Sequence, residues 1–188
     1  FGGDLFDLFG EFGHGGKKPI QRLETSVEVS LEEAFAGTNR KISLVVSGKP
    51  RRLNVSIPPG VKTGSRVRIS PSDRLEVVIN IIVQQHLRFR RRGNDLHVDV
   101  EVPFEVAALG GDTDLSTMTG MVLLTIPKGS GSGRKIKLSQ MGMPVLGSSP
   151  KRGDLIATIR PTVPPDLTNE QYEMLERYRE SRAAGMEK

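Results

Sequence analysis

The sequence predicts an all-β protein of two tandem repeated antiparallel β-sandwich units, followed by a C-terminal amphipathic helix. The duplication is visible in two matched pairs of segments. The run VEVSLEEAFAG at residues 27–37 returns as VEVPFEVAALG at 100–110, and IPPG at 57–60 returns as IPKG at 126–129. Matched segments in matched order indicate two copies of one unit. Apolar and polar residues alternate through both copies, which is typical of β-strands with one buried face.

The composition limits the class of protein. Of the 188 residues, 36% are hydrophobic and 26% are charged, which is ordinary for a globular chain. No apolar run approaches the ~18 residues of a membrane-spanning helix, so we expect no membrane contact. The absence of Cys excludes disulfides, thiol catalysis and cysteine zinc sites, and it fits a cytoplasmic protein. The net charge of +5 raises the question of nucleic acid or another acidic partner.

The chain begins with a biased segment. Residues 1–18 hold four of the seven Phe and six of the 21 Gly. Because glycine at this density disfavours a fixed fold, we expect a Gly/Phe-rich flexible linker over residues 1–19.

The first repeated unit is predicted over residues 20–96. Its first strand alternates apolar and polar residues from Leu23 to Leu31. Ser30 and Glu33 have the spacing of a capping box, and Gly37 is placed to end the resulting helical turn. Four more strands follow, with apolar alternation through residues 42–46, 53–57, 67–69 and 75–81. The second unit, predicted over residues 97–164, repeats this plan.

The last segment, residues 165–188, is predicted to be helical from about residue 169 to 183. Thr168 and Gln171 form a second capping box, and Leu167 and Tyr172 are spaced as a hydrophobic staple. Tyr172, Leu175 and Tyr178 recur at helical spacing. This helix either folds back on the second unit or pairs with a second subunit. We favour a homodimer held by four apolar residues: Leu167, Tyr172, Leu175 and Tyr178.

Several segments together carry a family resemblance. They are DLFDLF at 4–9, SLEEAFAG at 30–37, IPPGVKTG at 57–64, HLRFRRRGNDL at 86–96, PKG at 127–129 and RGDL at 152–155. The set resembles the C-terminal region of zinc-free DnaJ-family co-chaperones. The His-Pro-Asp triplet of the family's J domain is missing here, since His14, His86 and His97 precede Gly, Leu and Val. We therefore expect no stimulation of a DnaK-type ATPase by these residues alone.

The resemblance implies a stress-response chaperone function and dimerisation through the C-terminal helix. The first unit is implied to hold extended hydrophobic segments of non-native polypeptides, the clients, for delivery to a DnaK-type chaperone. The implied client groove lies beside the second strand of that unit and is lined by Val27, Ile42, Leu44 and Phe89, with Thr25 at its rim. From the residues alone, Val27, Ile42 and Leu44 are better explained as core, and only the resemblance favours a groove.

The densest basic cluster offers an alternative function. Arg88, Arg90, Arg91 and Arg92 surround Phe89 and could contact phosphate, as in a nucleoid-associated J-protein fragment. We favour a solvated loop between the two units, because Trp is absent and both Tyr lie in the terminal helix, which leaves no stacking platform. The expectation is weak DNA binding that follows charge and not sequence.

An enzyme is not predicted. The glycine-rich GSGSGRK at residues 129–135 lacks the Gly-Lys-Ser/Thr ending of a phosphate loop and leads into a strand. His86 and His97 do not have the spacing of helical metal ligands, and turn formation explains Asp112 and Asp114. We therefore expect no catalytic residue, no metal and no cofactor.

Overall fold

A computed structural model of the chain describes residues 21–46, 48–148 and 150–186. The predicted linker over residues 1–19 lies outside the described residues. The chain divides into two compact units, one ending at His86 and the other beginning at Leu87.

Within residues 21–46 and 48–86, the first unit contains a short helix and five strands, and the strands form two sheets. The elements are β1 (Gln21–Val29), α1 (Leu31–Ala36), β2 (Thr38–Val46), β3 (Lys49–Ile57), β4 (Arg66–Ser72) and β5 (Leu75–Val83). One sheet has the strand order β1-β5-β4, and the other is the pair β2-β3. Its core is built mainly from β5, whose Val77, Ile79 and Ile81 are fully buried.

The second unit repeats this order and, compared with the described part of the first unit, has one additional strand at its start and a helix at its end. The elements are β6 (Phe89–Arg92), β7 (Asp95–Pro103), α2 (Phe104–Leu109), β8 (Gly111–Thr117), β9 (Gly120–Ile126), β10 (Lys135–Leu138), β11 (Leu155–Thr162) and α3 (Asn169–Met186). The sheets are β10-β11-β7-β6 and β8-β9. The predicted all-β class with a terminal helix is confirmed. None of the described helices is both long and apolar enough to cross a bilayer.

The predicted antiparallel pairing is only partly correct. β1 pairs with β5 in parallel, and β7 pairs with β11 in parallel, while the other neighbours are antiparallel. β1 lies beside β5, and β7 lies beside β11, while the strands between them carry the chain into the second sheet and back. A parallel pair requires such a long crossover. Residue alternation predicts a strand but not the direction of its partner.

The duplication extends to individual hydrogen bonds. The Gly64 N–H donates to the Ile81 carbonyl at 2.9 Å, and the Gly133 N–H donates to the Ile159 carbonyl at 2.9 Å. Ile81 and Ile159 are therefore equivalent positions in the last strands of the two units.

The predicted capping box at α1 is confirmed. The Ser30 hydroxyl accepts the Glu33 N–H at 3.2 Å, and the Glu33 carboxylate accepts the Ser30 N–H at 3.0 Å. Gly37 ends the helix with φ 78°, and a Cβ there would lie 3.1 Å from the Ile57 carbonyl oxygen. Gly110 ends α2 with φ 84°. Both repeats need glycine here because L side chains rarely adopt this backbone conformation.

The Arg-rich segment predicted as a solvated loop contains a strand instead. Residues 89–92 form β6, which is joined to β7 by the two-residue turn Gly93–Asn94. A Gly-Asn pair between extended segments is typical of a tight hairpin turn. Because β6 belongs to the sheet of the second unit, the division at residues 86 and 87 falls earlier than the predicted boundary at 96 and 97.

The RGDL segment closes the second unit against this turn. The Asn94 carbonyl accepts the Met143 N–H at 2.8 Å, and the Asp95 carboxylate accepts the Asp154 N–H at 2.7 Å. A Cβ on Gly153 would lie only 2.1 Å from the Asn94 oxygen. Glycine is required at position 153 because the two backbone segments touch there.

Candidate functional site

The structure places four of the five predicted groove residues in the first unit. Thr25 and Val27 occupy alternate positions of β1, and Ile42 and Leu44 occupy alternate positions of β2. All four side chains are partly buried, unlike the fully buried Ile81 of the core. They are neither ordinary core residues nor fully exposed ones.

The two strands that carry these residues both lie at sheet edges. In the described part of the first unit, β1 pairs with β5 alone and β2 pairs with β3 alone. Among residues 21–46 and 48–86, each strand therefore has one edge without a neighbouring strand, where backbone groups can pair with another extended chain.

Leu53 on β3 is a further apolar residue beside Ile42, and the sequence-based prediction of the groove omitted it. It lies directly opposite Ile42 and is also partly buried. The alternation over residues 53–57 that predicted β3 contained this residue. The pairing register that brings it beside Ile42 could not be obtained from alternation.

The second unit provides an internal comparison for these positions. Val27 lies opposite Ile81, and Val100 lies opposite Ile159, so Val27 and Val100 occupy equivalent sites. Val100 is only 6% exposed, whereas Val27 is partly exposed. The same residue type at the same strand position is covered in one unit and uncovered in the other.

The remaining positions follow the same trend. By register, Thr25 corresponds to Val98, which is 1% exposed. Ile42 corresponds to Leu115, which is 2% exposed. Leu44 corresponds to the buried Thr117. The repeated strand order can bury all four positions, and the first unit leaves them accessible.

Phe89, the fifth predicted groove residue, belongs to the second unit. It lies in β6, directly opposite Val98, and is buried. β6 thus occupies the edge of β7 that corresponds to the available edge of β1. The role of Phe89 in lining a groove of the first unit stays a prediction.

Charged groups brace the helix between β1 and β2. The Arg40 guanidinium donates to the Glu33 carboxylate at 2.8 Å. The hydrogen bond from the Ser30 N–H, followed by that from Arg40, lowers the pKa of Glu33. His86 Nε2 lies 2.9 Å from the Glu32 carboxylate, whose pKa is lowered chiefly by a hydrogen bond from the Ser30 side chain. These contacts fix the connection between the two edge strands.

The arginines of the basic cluster make different contacts. Arg90 forms an ion pair with Asp99 at 2.9 Å and lowers the pKa of that carboxyl group. Arg88 stacks over the Phe89 ring at 5.7 Å from its centroid. Arg91 is partly buried, donates to the Gly93 carbonyl at 2.8 Å, and has its pKa lowered by burial. Arg91 lies on the face of β6 that carries the buried Phe89, whereas Arg90 and Arg92 lie on the opposite face, and DNA binding stays a prediction.

The predicted dimerisation residues lie on or just before α3. The capping box is confirmed, because the Thr168 hydroxyl accepts the Gln171 N–H at 3.3 Å and the Gln171 side chain accepts the Thr168 N–H at 2.8 Å. Tyr172 and Tyr178 are more than half exposed.

Leu167 and Leu175 are partly buried. They line a cavity of about 430 Å³ that also involves Phe104 at the start of α2. The helix therefore makes some contact with its own unit and leaves both tyrosines uncovered.

Comparison with known proteins identifies the family. The family model described as the DnaJ C terminal domain matches residues 23–164, which include both units. The chain belongs to the DnaJ C-terminal domain family. The resemblance seen in the sequence is thereby confirmed. In this DnaJ C-terminal region, α3 lies beyond the matched range.

Full-length relatives agree with this assignment. The chain is 38% identical over 187 residues to "Chaperone protein DnaJ" of Deinococcus proteolyticus, covering 94% of this chain and 58% of the relative. It is 36% identical over 171 residues to "Chaperone protein DnaJ 2" of Thermus thermophilus, covering 87% and 58%. The chain thus spans somewhat more than half the length of these two relatives.

Proposed function

We propose that this DnaJ C-terminal region holds extended hydrophobic segments of non-native polypeptides in a groove of the first unit. The groove is lined by Val27, Ile42 and Leu44, with Thr25 at its rim. One observation carries the proposal: these positions are partly exposed, while the equivalent positions of the second unit are buried.

The physical properties of the groove suit a client of variable sequence. The backbone groups at the β2 edge can pair with an extended chain whatever its side chains, as in other cases of strand addition. Covering one client Leu or Phe side chain contributes roughly 1.5–3 kcal/mol, which is sufficient for brief holding and release.

The proposal extends to partners and assembly. Family membership supports the delivery of clients to a DnaK-type chaperone. We propose a cytoplasmic location for the protein. A homodimer through Leu167, Tyr172, Leu175 and Tyr178 is supported by the exposure of both tyrosines, since exposed aromatic side chains on one helix favour a contact surface.

Two substitutions on neighbouring residues of β2 test the groove. Leu44→Asp introduces a charge where a client side chain must lose its water, while Val45→Asp changes a residue that is 69% exposed on the other face. Suppression of the aggregation of a heat-unfolded client is measured together with the melting temperature. We expect Leu44→Asp to lose suppression and remain folded, and Val45→Asp to retain both. Unfolding of Leu44→Asp, or full suppression by it, would contradict the groove.

A further inference from the structure

The second unit contains a strand for which the described part of the first unit has no equivalent. β6 runs antiparallel along the outer edge of β7. β1 is the counterpart of β7, and within residues 21–46 and 48–86 its corresponding edge has no neighbouring strand. The pairing of β6 with β7 is therefore a template for a strand added to the corresponding edge of β1.

The register of β6 specifies what would lie where on β1. Phe89 lies opposite Val98, the counterpart of Thr25. Arg90 lies opposite His97, the counterpart of Glu24. A strand added to β1 in this register would cover Thr25 with its apolar residue and set the following residue beside Glu24.

The charge on β1 favours a basic residue at that second place. Glu24 and Glu28 are both exposed on the solvent face of β1. On the corresponding face of the second unit, Arg90 of β6 forms its ion pair with Asp99 of β7. Opposite charges on adjacent strands stabilise pairing, and like charges weaken it.

We propose that the edge of β1 is a second strand-addition site, distinct from the β2 edge. Its ligand is an extended peptide in which a large apolar residue is followed by Lys or Arg, bound antiparallel in the register of β6. This inference rests on the proposed client-holding function and names a ligand chemistry for it. Among the described residues, an added strand accompanies β7 and not β1, and Val98, which lies opposite Phe89 of that strand, is buried while Thr25 is only partly buried.

Disulfide trapping tests the proposal, because the chain contains no cysteine of its own. The probe is a peptide with the sequence of residues 87–92, Leu-Arg-Phe-Arg-Arg-Arg, in which Cys replaces the arginine that follows Phe. The full chain carries either Glu24→Cys on β1 or, as the matched control, Ser43→Cys on the exposed face of β2. Directly opposed residues of an antiparallel pair have Cα atoms about 4.5–5.5 Å apart, within reach of a disulfide.

The expected result is a cross-link to Glu24→Cys in clear excess over Ser43→Cys. Replacing the Phe of the peptide by Asp should abolish the cross-link. Exchanging the arginine before Phe for Glu should weaken binding about twofold to fivefold, because in this register that residue lies opposite Ser26 and diagonal to the exposed Glu28.

Three outcomes would overturn the inference. Preferential trapping at Ser43→Cys would place the peptide on β2, leaving the proposed client-holding function intact. Absence of trapping at both sites, with aggregation of a client still suppressed and still sensitive to Leu44→Asp, would also leave that function intact. A cross-link between two Glu24→Cys chains in the absence of peptide would show that a second copy fills the edge.

Discussion

The matched pair Ile42 and Leu115 allows core and groove to be separated within one protein. The two residues occupy equivalent positions of β2 and β8 and have similar side-chain volumes. Leu115 is 2% exposed, while Ile42 is partly exposed. We predict that Leu115→Ala lowers the stability more than Ile42→Ala does, and that only Ile42→Ala weakens client binding.

The burial of each residue sets the expected loss of stability. Truncating a fully buried Leu to Ala removes its transfer free energy and leaves a cavity, so Leu115→Ala should lower the free energy of unfolding by roughly 2–5 kcal/mol. Ile42 loses less apolar contact and leaves no closed cavity, so Ile42→Ala should cost about 1 kcal/mol. Urea unfolding of both variants measures this difference.

Client binding is expected to depend on Ile42 and not on Leu115. If Ile42 covers a client side chain, losing about 1 kcal/mol of that contact weakens the affinity about fivefold. Leu115→Ala should bind an unfolded fluorescent client with unchanged affinity at a temperature where it is still folded. Fluorescence anisotropy gives the two dissociation constants.

Two results would refute the reasoning. Equal losses of stability would show that Ile42 is a core residue, and an equal loss of affinity in Leu115→Ala would show that binding depends on general integrity of the fold. In either case the contrast in burial between the two units would have no functional meaning.

Three further predictions concern other parts of the chain. Gly153→Ala should destabilise the second unit by roughly 1–3 kcal/mol or more, because its Cβ would overlap the Asn94 carbonyl. Gly131→Ala is the control and should not destabilise the unit, because a Cβ there has nothing within 4 Å. Thermal melting compares the two variants. The hydrogen bond from the Gln140 N–H, followed by the interaction with Lys137, lowers the pKa of Asp154 below its ordinary value of 3.8. The stabilising contribution of the Asp154 carboxylate is therefore complete at neutral pH and is lost as the pH falls below 3.8 through the lowered pKa of the folded state. Asp154→Asn should be less stable at pH 7 and should show a shallower acid transition by circular dichroism. An unchanged transition would contradict this assignment. A chain ending at Pro165 should be monomeric by light scattering where the full chain is dimeric, and an unaltered mass ratio would show that α3 does not form the interface.

Local sequence signals predicted the parts of this fold that depend on neighbouring residues. Ser30 and Glu33 form the predicted capping box, and Gly37 ends the helix as predicted, because hydrogen bonds within a few residues determine both features. The duplicated segments likewise predicted two units with the same order of elements. The Gly93–Asn94 turn was equally local, and recognising it would have identified β6.

Contacts between distant residues account for what the sequence did not reveal. Val27 and Val100 occupy equivalent places in matched segments, yet Val27 is partly exposed and Val100 is buried. No pattern within either segment encodes that difference. The parallel direction of β1 against β5 was hidden for the same reason, since residue alternation is identical for both directions.

The parallel pairing of β1 with β5, and of β7 with β11, determines when each unit can fold during synthesis. Gln21 pairs with Leu75, and Arg22 reaches Glu76 across 54 residues of chain. β5 carries much of the core and lies between β1 and β4, so neither neighbour has its sheet partner until β5 leaves the ribosome. A protein proposed to hold non-native chains therefore passes through a non-native stage of its own. During that stage β1 has been synthesised, but its partner β5 has not.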